Sequence, residues 1–265
     1  MKDKNIVAGK WALVTGGSSG LGVDFARELA DRSMNLILVA RRKEKLAEVE
    51  KQLIEDYGVE VVILPRDLSA RDAPRQLYEE LKDRGLEIEV LINNAGFGLY
   101  GKFQDQELDY LEDMIDLNVR TLMALTHLVL PEMLERGSGY VLQVASNAAF
   151  QPSPGYAAYG GTKSFVHSFS QAVSYELKDS TVRMSVVSPG PARTEFHDVS
   201  NQGRDNWYIQ LLLMPSEKVA EAGVKALFKG KPGVVPGWIN KTAAWAAQRL
   251  PRRWAAALAG WTMGM

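Results

Sequence analysis

The sequence has no cysteine, which excludes disulfides, cysteine nucleophiles and thiolate metal sites and suits a reducing compartment. Net charge is almost absent too: 31 basic side chains against 32 acidic ones leave a formal charge of -1, so no bulk attraction to nucleic acid is expected. Histidine is scarce. His127, His167 and His197 are the only three, and no His-Glu-x-x-His or other ligand spacing connects them, so no metal is expected. Long hydrophobic runs are also missing. The longest uncharged stretch, residues 137–162, is interrupted by Gln143, Asn147, Gln151, Pro152 and Pro154, whereas a spanning helix needs about 20 predominantly apolar residues. The first ten residues, MKDKNIVAGK, hold no apolar run of signal-peptide length. Together these absences lead to the expectation of a cytoplasmic protein.

What is present suits one substantial core. The 265 residues are 46% hydrophobic and 24% charged, and α/β chains of roughly 200–250 residues often fold as one unit. Apolar runs at 11–15, 36–40, 61–64, 90–92, 140–145 and 182–187 alternate with stripes at helical spacing, such as Leu21, Phe25, Ala26 and Leu29. Nearly continuous apolar strands are what a parallel sheet covered on both faces requires. Ser69 and Asp72 are expected to cap the helix carrying Ala73, Leu77 and Leu81. A long helix is expected over 108–133, ending near Pro131, with others at 156–177 and 216–228 and a short last strand at 234–235. No repeat or linker divides the chain. The expected fold is α/β: a Rossmann-type doubly wound parallel sheet of about seven strands flanked by helices, forming one domain over residues 1–265.

The chemistry-bearing residues begin at Thr15-Gly16-Gly17-Ser18-Ser19-Gly20-Leu21-Gly22, between the first strand and the first long helix. Glycines there allow close approach of a ligand, and a helix start leaves amide donors free for a pyrophosphate. The loop is neither Gly-x-Gly-x-x-Gly nor a Gly-x-x-x-x-Gly-Lys-Ser/Thr loop. Farther along, Tyr159 and Lys163 stand four residues apart, which puts phenol and ammonium on one side of a helix.

This pattern resembles the short-chain dehydrogenase/reductase family, through Thr15, Gly16, Gly20 and Gly22, then Asn93-Asn94-Ala95-Gly96, Asn118, Ser146, Tyr159 and Lys163 in that order. The resemblance covers at least residues 10–195. It implies a nicotinamide dinucleotide held by Gly16, Ser18, Ser19, Gly20, Leu21 and Gly22, with Asp67 and Leu68 at the adenine and Asn93, Ala95 and Gly96 as a wall beside the cofactor. Asn94 is assigned to the sheet instead. Pro189 and Gly190 would cap the nicotinamide side and Thr194 would touch its amide or phosphate region. The resemblance also implies a homodimer or homotetramer acting on a small molecule.

Charge argues the cofactor's identity. The second strand is followed by Arg41-Arg42, where an acidic residue would accept from the ribose hydroxyls of NAD. Arginine pairs with a 2′-phosphate, so NADP(H) is preferred over NAD(H), with Arg41 as the principal contact and Arg42 as an auxiliary one. Asn118, Ser146, Tyr159 and Lys163 form the expected catalytic set. Tyr159 would exchange the proton, Ser146 would hold the substrate oxygen, and Lys163 would bind the nicotinamide ribose and depress the tyrosine pKa. In the resembled family the position of Asn118 supports a proton path to the lysine. Bringing a phenol from ~10 to about 7 takes roughly 4 kcal/mol, expected from Lys163 and the oxidised cofactor. The expected reaction interconverts a ketone or aldehyde and an alcohol.

Phe97, Phe150, Tyr156, Phe196, Trp207 and Leu211 are the substrate-pocket candidates, the last three on an apolar lid over about 191–215. They favour an apolar substrate such as a 3-oxoacyl or steroid-like carbonyl compound. The segment of about 237–265 is a basic tail holding four of the six tryptophans and no acidic residue. It reads either as a packed or intersubunit tail or as a peripheral membrane contact. The competing function is a catalytically weak dinucleotide-binding sensor or scaffold acting through that tail.

Overall fold

Short apolar runs bounded by glycine, proline and polar residues become seven parallel strands in the computed structural model, which describes residues 4–192, 210 and 212–264. The strands are β1 (Trp11–Thr15), β2 (Asn35–Ala40), β3 (Val61–Pro65), β4 (Ile88–Asn93), β5 (Tyr140–Val144), β6 (Arg183–Val187) and β7 (Gly233–Val234). Their order in the sheet is β3-β2-β1-β4-β5-β6-β7, all parallel. The order reverses between β1 and β4, and the crevice beyond the carboxyl ends of strands at such a reversal is where doubly wound sheets bind ligands.

Helices cover both faces, which is why the strands carry no alternation of apolar and polar residues. One layer contains α2 (Gly20–Ala30), α3 (Lys43–Tyr57) and α8 (Ser216–Phe228), whose Phe25, Leu46, Val224 and Leu227 share a core with β1, β2 and β4. The opposite layer contains α4 (Ala73–Asp83), α6 (Leu122–Arg136) and α7 (Ala157–Glu176), represented by Leu77, Leu125 and Val173. A four-residue helix, α1 (Lys4–Val7), precedes β1. No helix among the described residues is long and apolar enough to cross a membrane.

The structure corrects two expectations and gives the C-terminal segment its form. The helix placed at 108–133 is α5 (Leu108–Ile115), a π-helical segment (Asp116–Thr121) and α6, which passes Pro131 and ends at Gly137 in a left-handed cap. Pro131 and His127 lie on the exposed side, so the carbonyl that proline leaves without an N–H partner faces water and the helix survives. Ser69 and Asp72 do not cap α4 through their side chains; the Ser69 hydroxyl donates to Asp67 Oδ1 at 2.9 Å. Finally, the segment read as a tail forms two helices, α9 (Trp238–Arg249) and α10 (Arg252–Met263). The lid residues Phe196, Trp207 and Leu211 lie outside the described residues, as do Thr194 and His197.

Candidate active site

Thr15 closes β1 and ties it to the end of β4. Its hydroxyl accepts the N–H of Asn94 and of Ala95, each at 3.0 Å, and donates to the Ile92 carbonyl at 3.3 Å. Gly16 then turns the chain out of the strand with φ of +70°, a left-handed conformation that favours glycine. Gly22, one turn into α2, sits against Gly16 so closely that a Cβ would collide with the Gly16 carbonyl. The helix starts at Gly20 with Ser19 as its N-cap, yet the Ser19 side chain makes no capping bond. It accepts instead from Arg42 Nη2 at 2.7 Å, while Ser18 Oγ lies 3.4 Å from the same nitrogen. The Ser19 side chain therefore leaves the first amides of α2 uncapped, beside a guanidinium and two hydroxyls. That donor set suits phosphate oxygens.

At the other end of the same cleft, of about 430 Å³, are Ser146, Tyr159 and Lys163. Ser146 follows β5 and caps a short 3-10 turn, its hydroxyl accepting the Ala148 N–H at 3.2 Å. Tyr159 and Lys163 stand one turn apart on α7, with the lysine Nζ 5.8 Å from the phenol ring centroid. Lys163 Nζ donates to the Val144 carbonyl at 2.9 Å. Burial pushes Lys163 down to about 8, because a charged amine is poorly solvated there. Burial also pushes the Tyr159 phenol well above its usual value, against the lowering effect of its hydrogen bond with Ser146. In the chain by itself, desolvation of the phenolate outweighs the Ser146 hydrogen bond, whereas the expected lowering draws also on the charge of a bound oxidised nicotinamide.

Asn118 lies in the π-helical segment, a rare geometry that often marks functional positions. Its Oδ1 accepts the Phe97 N–H at 3.1 Å, and its Nδ2 donates to the Phe97 carbonyl at 2.9 Å and to Thr162 Oγ1 at 3.1 Å. Asn118 thus stands behind the cleft wall, bracing Gly96-Phe97 and the α7 turn that carries Lys163, and does not line the cleft itself.

Most residues singled out in the sequence line this cleft: Gly16, Ser18, Ser19, Gly20, Leu21, Arg41, Arg42, Asp67, Leu68, Ala95, Gly96, Phe97, Tyr156, Pro189 and Gly190. Three do not. Asn93 turns into the core and donates to Thr126 Oγ1 at 3.0 Å, whereas Asn94, assigned to the sheet, both lines the cleft and donates to the Thr15 carbonyl at 2.9 Å. Gly22 serves helix packing behind the loop. Phe150 is buried edge-on against the His167 ring at 4.7 Å, away from the cleft. Arg41 lines the cleft, but Arg42 is the arginine bonded to the loop hydroxyls.

Sequence reading missed the contribution of the C-terminal helices. Buried Asn240 on α9 accepts from Asn147 Nδ2 at 3.2 Å and packs so tightly on Gly190 that a Cβ there would collide with its amide. Met263 at the end of α10 lines the cleft, and its carbonyl accepts from Tyr100 Oη at 2.6 Å. The available signal was an asparagine on the same side of the α9 helical wheel as Ala243, Ala244 and Ala247. Among the described residues, no three metal-ligating side chains converge.

A short chain dehydrogenase family model matches residues 10–205. Hydroxysteroid dehydrogenase-like protein 1 of Gallus gallus is 39% identical over 184 residues, covering 68% of this chain and 55% of its own length. Very-long-chain 3-oxoacyl-CoA reductase of Anas platyrhynchos is 36% identical over 203 residues, covering 74% and 64%. The match thus spans less than two thirds of either relative. A structure solved in work on 7β-hydroxysteroid dehydrogenase stereoselectivity superposes with a TM-score of 0.87 at 25% identity, covering 97% of this chain and 99% of that one. A short-chain dehydrogenase from Sphingobium yanoikuyae in complex with NADPH gives a TM-score of 0.79 at 29% identity, covering 96% and 94%.

Proposed function

The chain belongs to the short-chain dehydrogenase/reductase family, and from that premise we propose that it is an NADP(H)-dependent oxidoreductase interconverting an apolar ketone or aldehyde and its alcohol. The observation that carries the reading is a single cleft with an arginine-and-hydroxyl end, at Arg42, Ser18 and Ser19, and a proton-donor end, at Ser146, Tyr159 and Lys163. In this reading Arg41 and Arg42 would hold the 2′-phosphate, the α2 amides the pyrophosphate, Asp67 and Leu68 the adenine side, and Lys163 the nicotinamide ribose. When bound, the nicotinamide supplies or takes the hydride at the carbonyl carbon.

The chain's own residues handle the proton. Ser146 and Tyr159 already share a hydrogen bond, so an oxygen placed between them would accept from both hydroxyls. During reduction the phenol O–H breaks and its proton joins the substrate oxygen. The raised Tyr159 pKa keeps that proton in place at neutral pH, which suits donation. Lys163, still charged below about pH 8, then faces the phenolate left behind. Asn118 holds the wall and the helix turn in register and acts as a positioning residue. Phe97, Tyr156, Leu117, Leu212 and Met263 supply the apolar surface for the substrate. The steroid and 3-oxoacyl names of the relatives agree with such a substrate. We include a homodimer or homotetramer in this reading, to be checked by sedimentation velocity.

The test is a panel of ketones and alcohols followed by NADPH and NADH absorbance. Tyr159→Phe should lower kcat by about 10²–10⁴-fold, the usual worth of a positioned proton donor. Arg42→Ala should raise the KM for NADPH by about 10–100-fold and leave that for NADH little changed, since a charge-assisted bond is worth roughly 1.5–3 kcal/mol. Full turnover by the tyrosine variant, or an NADH preference in the wild type, would overturn the assignment.

A further inference from the structure

The outer faces of α9 and α10 carry the largest exposed aromatic groups among the described residues, and the reaction uses none of them. On α9, Trp238, Lys241, Trp245 and Arg249 fall at i, i+3, i+7 and i+11, one stripe of the helix, opposite buried Asn240 and Ala244. On α10, Trp254, Leu258 and Trp261 fall at i, i+4 and i+7, opposite buried Ala255 and Ala259. The four indoles are 77%, 57%, 72% and 68% exposed in chain order, and Leu258 is 52% exposed. Arg249 stacks on Trp245 with its guanidinium carbon 3.9 Å from the ring centroid.

Charge on this segment has one sign. Lys231, Lys241, Arg249, Arg252 and Arg253 are its basic residues, and residues 231–265 contain no acidic one. A chain of net charge -1 has therefore concentrated cations beside its exposed tryptophans. Indoles with an apolar body and one N–H settle at the headgroup level of a bilayer, and each nearby cation adds attraction to anionic lipid. A two-fold contact with a second copy would bring these cationic stripes together without a carboxylate from the same segment to pair them. We propose that α9 and α10 dock this protein on an anionic bilayer surface, lying flat with the Trp254–Leu258–Trp261 stripe in the headgroup layer and the arginines on lipid phosphates and carboxylates.

The inner sides of the same helices bear on the cleft, through Asn240 against Gly190 and Met263 against Tyr100. Docking there would set lipid against the outer side of a cleft wall. The surface itself does not depend on the redox reading, and its test is separate.

The experiment is flotation of the full chain with vesicles of phosphatidylcholine alone or phosphatidylcholine with phosphatidylserine, at low and high salt. Flotation with the serine lipid should be at least tenfold tighter than with phosphatidylcholine alone and should weaken as salt rises. The Trp254→Ala/Trp261→Ala pair and the Arg252→Glu/Arg253→Glu pair should each lower the affinity about tenfold or more, with the thermal transition unchanged. Absence of flotation, equal binding to both vesicles, or variants that bind like wild type would overturn the proposal. So would vesicle-free dimers that the tryptophan pair converts to monomers, which would assign the face to a second copy.

Discussion

Lys163 is buried and Tyr159 half-buried at the cleft wall, and desolvation moves their proton affinities in opposite directions, each toward the neutral form. For Lys163 the folded value of about 8 lies below the ordinary 10.5. Between those two pH values the unfolded chain holds a proton that the folded chain has released, so this group makes stability rise with pH across that window. Below about pH 8 both states are charged and the cost of burying the ammonium is fully present. Lys163→Met should therefore flatten the stability profile between pH 8 and 10, by up to roughly 3 kcal/mol. Urea unfolding of both proteins at pH 7.5, 8.5 and 9.5 measures it, and parallel profiles would show that Lys163 does not set the slope. The phenol's raised value acts with the opposite sign, but only above its ordinary value near 10, outside that comparison.

At the scale of the element, the helix that follows β1 is placed by the absence of one carbon atom. A Cβ on Gly22 would collide with the Gly16 carbonyl, so Gly22→Ala must part α2 from its loop, at about 1–3 kcal/mol. Dinucleotide affinity should fall with it, since the α2 amides move away from the cleft. Gly161, two residues from Tyr159, meets nothing within 4 Å on the exposed side of α7, so the same replacement there should stabilise by roughly 0.5–1 kcal/mol. Opposite signs in thermal unfolding are expected. The same elements show what sequence can reveal. The strands were readable because buried parallel strands are short apolar runs, and the Tyr159–Lys163 turn because helical spacing is fixed. The Asn93–Asn94 exchange was not, because β4 is buried along its whole length and leaves no alternation to say which asparagine faces outward. The π-helical segment around Asn118 was equally hidden, since one shifted hydrogen bond leaves the apolar spacing almost intact. Arg42 rather than Arg41 reaching the loop depends on the direction of one side chain.

Across the whole molecule, one sheet separates two apolar layers, and β1 to β6 each contribute to both. Phe25 sits fully buried in one layer, between α2 and the α8 turn that carries Gly223, while Leu77 sits fully buried in the other, on α4. Their helices have no cluster in common, yet β1 sends Val14 into the first layer and its neighbour Leu13 into the second. Loss of either layer strips one face from the same strands, so we propose that the chain unfolds as one unit rather than layer by layer. Phe25→Ala should cost about 3–5 kcal/mol and Leu77→Ala about 2–5 kcal/mol, each shifting a single transition. Far-UV circular dichroism should coincide with tryptophan emission, which reports Trp11 at the start of β1, Trp207 and the four indoles of the C-terminal helices. Emission that changes before the helical signal would instead mark α9 and α10 as a separate unit, held to the sheet only by contacts such as Asn240 with Asn147 and Tyr100 with Met263. Coincident transitions that both substitutions shift together would place those helices, the cleft they border and both apolar layers in one cooperative structure.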